Sequence, residues 1–105
     1  MHRVHLLAKA VARERSIVQR LVIEEGDDNG AYTNLNFETT DLKILWDLIQ
    51  KNLYKDEKIG IELTRSSIVT CEGEDGWNDY LLLHHFDLSV KTDSLHDHRG
   101  NHLDV

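Results

Sequence analysis

TTDLKILWDLIQKNLYKDEKIGIELT, residues 39–64, decides how the rest of the chain is arranged. In its first part Leu42, Leu45, Trp46, Ile49 and Leu53 recur at i, i+3, i+4 and i+7 spacing, the stripe of a helix with one face on a core. Thr39 or Thr40 is placed to cap this helix, and Asp41 stands where the helix dipole favours an anion. Lys51, Lys55 and Lys58 lie at or beyond the opposite end, which favours cations. In the last part Ile59, Ile61 and Leu63 alternate with Gly60, Glu62 and Thr64, a pattern that predicts a strand with one wet face.

Working outward, residues 17–24 (IVQRLVIE) place Ile17, Leu21 and Ile23 on one face with Gln19. Residues 31–38 (AYTNLNFE) place Thr33, Leu35 and Phe37 on one face, and the turn residues of EGDDNG between the two runs predict a hairpin. Upstream, Val4, Leu7, Ala8 and Val11 at helical spacing predict a basic amphipathic helix within residues 1–16. Downstream, IVTC (68–71) and WNDYLLLHHF (77–86) flank the glycine-bearing EGEDG, a second hairpin. The second of these strands is apolar on both faces, which suits a central position or an interface.

The expected fold class is therefore α+β. It is a two-layer sandwich of N-terminal helix, β-hairpin, central amphipathic helix and three-stranded antiparallel meander. Residues 1–90 form the single domain, and residues 91–105 read as a polar, His-rich tail with one short added strand. If the central helix crosses between parallel strands of one sheet, the EGDDNG and EGEDG loops fall at the same end of it.

A length of 105 residues points to one domain, and 40% hydrophobic with 30% charged residues argues against wholesale disorder. No apolar run approaches the roughly 18–20 residues of a membrane span, and the start of the chain lacks the apolar centre of a secretory signal. The single cysteine, Cys71, cannot form an internal disulfide, so a reducing cytoplasm is the expected setting.

The net charge of −7 is unevenly spread. Residues 1–20 carry Arg3, Lys9, Arg13, Arg15 and Arg20 against Glu14, so residues 21–105 hold −11. An acidic body repels phosphates, which argues against nucleic acid as a partner and suits a basic protein surface. The partner-binding residues expected on this basis are Glu25, Asp27, Asp28, Glu72, Glu74, Asp75, Trp77 and Asp79, carboxylates with an aromatic anchor among them.

Catalytic patterns are weaker. A hairpin centred on EGEDG sets Cys71 opposite about Trp77, leaving His84 on the order of 20 Å away, too far for a dyad. His84 and His85 are neighbours on a strand and point to opposite faces, with His84 expected to be buried and satisfied. His85, His96, His98 and His102 are the candidate metal ligands, by density alone. No phosphate loop, G-x-S-x-G, H-E-x-x-H or C-x2-C pair occurs, and no cofactor is expected. The leading expectation is a non-enzymatic, acidic, inhibitor- or immunity-like module that masks a basic surface. The alternatives are a homo-oligomer of structural or accessory role, with a homodimer its simplest form, and a small metal-binding enzyme or sensor using the C-terminal histidines.

Overall fold

A computed structural model describes residues 2–73, 76–93, 95 and 102–105, with the backbone alone at residues 2, 73 and 76–79. The central helix forms as its stripe requires. α2 (Leu42–Ile49) runs into a π-helical turn (Gln50–Tyr54), and Leu42, Leu45, Ile49 and Leu53 are all buried. Its cap is Asp41, whose carboxylate accepts from the Ile44 amide at 3.1 Å, and neither threonine. Thr39 is committed elsewhere: its hydroxyl donates to the Ile17 carbonyl and accepts from the Asp41 amide.

α1 (His2–Ala12) buries Val4, Ala8 and Val11 in the same core. Arg3 on this helix pairs with Asp56 through two hydrogen bonds of 2.9 and 2.7 Å, which ties α1 to the loop after α2. Strands β1 (Val18–Asp27) and β2 (Ala31–Thr39) make the expected hairpin, and its three-residue turn needs positive φ at Asn29 and Gly30.

The reading of residues 59–64 as a strand is corrected. Gly60–Ser66 is a helix, α3. Ile59 and Leu63 are 7% and 6% exposed while Ile61, which strict alternation would bury with them, is 71% exposed. The buried pair is i, i+4, one face of a helix. Asp56 enforces it by accepting from the Lys58 and Ile59 amides, both at 3.0 Å. Gly60 permits it, since a Cβ there would stand 2.3 Å from the Tyr54 carbonyl oxygen.

β3 (Ile68–Gly73) and β4 (Gly76–His85) follow as an antiparallel pair. Three antiparallel strands do complete the sheet after the helices, but the third comes from the C-terminal stretch. β5 (His102–Asp104) inserts between β2 and β3, giving the order β1-β2-β5-β3-β4 with every neighbour antiparallel. Leu103 packs between Phe37 and Cys71, all three at 1% exposure or less.

β4 is thus an edge strand of this sheet and not a central one. Its outer side is tied to the chain that follows, through Asp93 N–H to the Leu82 carbonyl and Leu82 N–H to the Asp93 carboxylate. A bulge opposite Val69 and Thr70 sends both Leu83 and His84 to the helix side.

Candidate functional site

Removing one strand from the path reverses the direction of every later strand. β3 runs the same way as β2, so its far end, Gly73, lies at the opposite end of the sheet from the β1–β2 turn. From Ala31 to the level of Gly73 is eight residues, roughly 25 Å along the strands. The expected gathering of the two acidic loops is therefore corrected. Glu25, Asp27 and Asp28 stand at one end. Glu72 lies toward the other, and Gly73 and Gly76, which flank Glu74 and Asp75, mark that end. Glu74 and Asp75 lie outside the described residues, and Trp77 and Asp79 belong to β4 with only their backbone described.

His85 and His102 are likewise separated. His85 pairs with Ile68 near the end that carries the β1–β2 turn, and its Nδ1 accepts from the Asp87 amide at 3.0 Å. His102 is exposed on β5, level with Glu38 of β2 toward the opposite end. The structure does not bring these two to one ion, and His96 and His98 lie outside the described residues. Among the described residues no group of three or more His, Cys, Asp or Glu is arranged to hold a metal ion. The spacing of Cys71 is also corrected: it pairs with Leu81, not Trp77, because the hairpin closes at Gly73 and Gly76. The thiol is 1% exposed beneath the helices. His84 is half-buried and satisfied, with Nε2 3.0 Å from the Thr64 carbonyl and its ring against Tyr54.

What the fold creates instead lies where β5 stops. β2 has nine residues and β5 only three, so β5 pairs with β2 over the second half of that strand alone. Above Val105 the sheet is split by a cleft of about 580 Å³. Its banks are Ala31–Leu35 on one side and Ser66–Ile68 on the other, its floor is Val105, and Val4 and Leu63 close the helix side.

The polar chemistry of the cleft follows from strand geometry. Leu35 and Val105 exchange both backbone hydrogen bonds, at 3.1 and 2.9 Å. Alternation along an antiparallel strand then directs the amides and carbonyls of Thr33 and Ala31 to the same side, into the cleft. By the same count Ile68 presents its backbone from the facing bank. These are edge groups in the middle of a sheet.

The side chains add charge. Glu25 is held 2.7 Å from His5 of α1, its side chain 57% exposed, and Glu62 of α3 enters from the other wall. Tyr32 lies across Gly26, where a Cβ would meet the ring at 2.3 Å, so the glycine is what seats this aromatic at the rim. Ser66 and Ser67 donate their hydroxyls to the Glu62 and Leu63 carbonyls, and so neither is presented as a nucleophile. Burial pushes the Tyr54 hydroxyl up to about 12; it stays protonated at neutral pH and donates to Ser67 Oγ at 2.6 Å, fixing that bank.

Sequence reading missed Glu62, Ser67 and Ile68 as members of one site. The available signal was Asp56 three residues before the Ile59–Leu63 pair, which marks a helix start. No protein-family model, curated protein or solved structure matches the chain.

Proposed function

We propose that the chain is a non-enzymatic, acidic protein-binding module that receives a basic segment of a partner protein. The observation that supports this reading is the cleft above Val105. Glu25 and Glu62 line it from two different elements, and Asp27 and Asp28 stand exposed at the same end of the sheet. The body beyond residue 20 carries −11, which steers a cationic partner toward it. Glu72 lies toward the other end and adds to the steering without sharing the cleft. Among the described residues no helix is long and apolar enough to cross a membrane.

Selection from a random peptide library on the immobilised chain at low salt tests the reading. Enrichment of Lys- and Arg-bearing peptides, with binding that weakens as salt rises, is the expected result. Enrichment of neutral or acidic sequences, or binding indifferent to salt, contradicts it.

A second reading has one specific observation in its favour. Phe86 and Leu88 stand exposed just beyond the His85 end of β4, Leu88 at 85%, next to the cleft end of the sheet. A second copy of the chain covering them would make the protein a homo-oligomer. Sedimentation between low and high protein concentration decides this: a rise in mass supports the second reading, and a constant monomer mass rejects it.

A further inference from the structure

We propose that the outer edge of β1 is the interface for a second copy of this chain, which adds antiparallel about a twofold axis at Val22 and joins two five-stranded sheets into one. The inference stands apart from the basic-segment reading, whose cleft opens on the other side of β2, and from the exposed Phe86 and Leu88 at the far edge.

The edge is long and open. β1 has ten residues and is the outermost strand of its side. Leu35 bonds to Val105 on the β5 side, so Asn34 and Asn36 direct their backbone groups to Glu24 and Val22 of β1. Alternation then turns the N–H and C=O groups of Leu21, Ile23 and Glu25 outward. Among the described residues, nothing hydrogen-bonds to these groups. Edge strands are ordinarily closed to one another by proline, by bulges or by charge. β1 has no proline, and its one bulge falls at its start, between Val18 and Arg20. Its middle is an uncharged, half-buried run of Leu21, Val22 and Ile23.

The order of charge along the strand selects a second copy as the occupant. Arg13, Arg15 and Arg20, with Glu14 among them, lie before or near its start, and Glu24, Glu25, Asp27 and Asp28 lie near or just beyond its end. Two antiparallel copies therefore set each basic start beside the other's acidic end.

Register sharpens the match. With Val22 on the axis, Arg20 of each copy stands directly opposite Glu24 of the other, so the pair is made twice. These side chains share the open face with Asn34, Asn36 and Glu38. Leu21 and Ile23 of opposite copies exchange their outward backbone groups, and their side chains extend the face that Phe37 and Leu35 bury. Sliding the copies by one step of the ladder sets Arg20 opposite Val22 or Gly26 and loses both ion pairs. Arg20 is available for this partner, because its side chain is 66% exposed and stands 3.9 Å from Glu38, a loose pair.

Sedimentation equilibrium of the full chain at low salt, from micromolar to millimolar, should show the mass rise from one chain to two. Amide exchange over the same range should slow about tenfold or more at Leu21 and Ile23, and little at Val22 and Glu24, which already bond to β2. Arg20→Glu or Glu24→Arg alone sets like charges opposite each other and should weaken the dimer about tenfold. Both positions are exposed, so the fold is kept. The two single variants, mixed, should associate with each other about as well as the parent chain does, since each supplies the charge the other lacks.

A single-chain mass up to millimolar concentration overturns the proposal. A dimer in which the Leu21 and Ile23 amides keep their free exchange rates overturns it too. So does a dimer unchanged by either charge variant, or a mixture of the two variants no stronger than each alone. If Phe86→Ser with Leu88→Ser abolishes association while the charge variants do not, the contact lies at the other edge of the sheet and β1 is again overturned. Basic-peptide binding enters none of these results, so the two readings fail separately.

Discussion

The two halves of β2 face different neighbours, β5 along one and a cleft along the other. In the lower half Leu103 of β5 meets Phe37 and Cys71 with almost no exposure, and the sheet is dry and continuous. In the upper half Ala31–Asn34 of β2 face Ser66, Ser67 and Ile68 across a cleft whose walls mix Glu25, Glu62 and Tyr32 with Val4, Leu63 and Val105. The difference lies in what faces β2: β5 in one half, and the end of α3 with the first residue of β3 in the other.

The largest effect should come from breaking the lower half. Leu103→Ala removes a fully buried side chain and should cost about 2–5 kcal/mol. Thr33→Ala in the upper half should stay within about 0.5 kcal/mol. Denaturant titration of both variants measures the contrast, and equal losses would erase the distinction between the halves.

Next is the roof of the upper half. Gly60→Ala forces a Cβ against the Tyr54 carbonyl and should displace α3, at a cost of about 1–3 kcal/mol. Loss of affinity for basic peptides should accompany it, because α3 carries Glu62.

Two carboxylates give pH effects of opposite sign. Arg3 beside Asp56, with the Ile59 and Lys58 amides, holds the Asp56 carboxyl far below its ordinary value. Its contribution is complete above the unfolded carboxylate pKa of about 4 and is lost as pH falls below that. Asp56→Asn should therefore destabilise at pH 7 and progressively less below pH 4. Burial raises Asp104, opposed by His102 and reinforced by Glu24. Its charged form is the unfavourable one, so Asp104→Asn should stabilise the protein at pH 7, with the gain shrinking as pH falls into the carboxylate range. Melting midpoints across pH 2.5–7 test both signs.

The smallest effect on stability is expected at the cleft walls. Glu62→Gln and Glu25→Gln should leave the denaturation midpoint nearly unchanged while reducing the salt dependence of basic-peptide binding. A large stability loss from Glu62→Gln would mean that this side chain is structural.

The central helix and the first hairpin were legible because each has one dominant period: Leu42, Leu45, Ile49 and Leu53 on the helix, and Leu35 with Phe37 on the strand. Residues 59–64 were not, because alternating isoleucines satisfy a strand template while a single i, i+4 pair, Ile59 and Leu63, satisfies a helix. Local pattern cannot choose between these. The choice is made by Asp56 and by the close approach at Gly60, both set by the preceding helix. One wrong element then reversed the strand directions and brought the end of β3 to the β1–β2 turn, where the structure sets Gly73 at the opposite end of the sheet. β5 was equally hidden. HLD is short and polar at its flanks, and only its position between two longer strands makes Leu103 a core residue. The cleft depends on both features, so its membership could not be read from spacing.

The most direct test of the split sheet is hydrogen exchange along β2 in the free protein. Leu35 donates to Val105, and Phe37, two residues on, is directed to β5 in the same way. Thr33 and Ala31 lie on the same strand and the same edge, with the cleft before them. The split sheet predicts that the Thr33 and Ala31 amides exchange at least ~100-fold faster than those of Leu35 and Phe37. Equal protection at all four positions would contradict it, because it would mean that the upper half of the space is already filled.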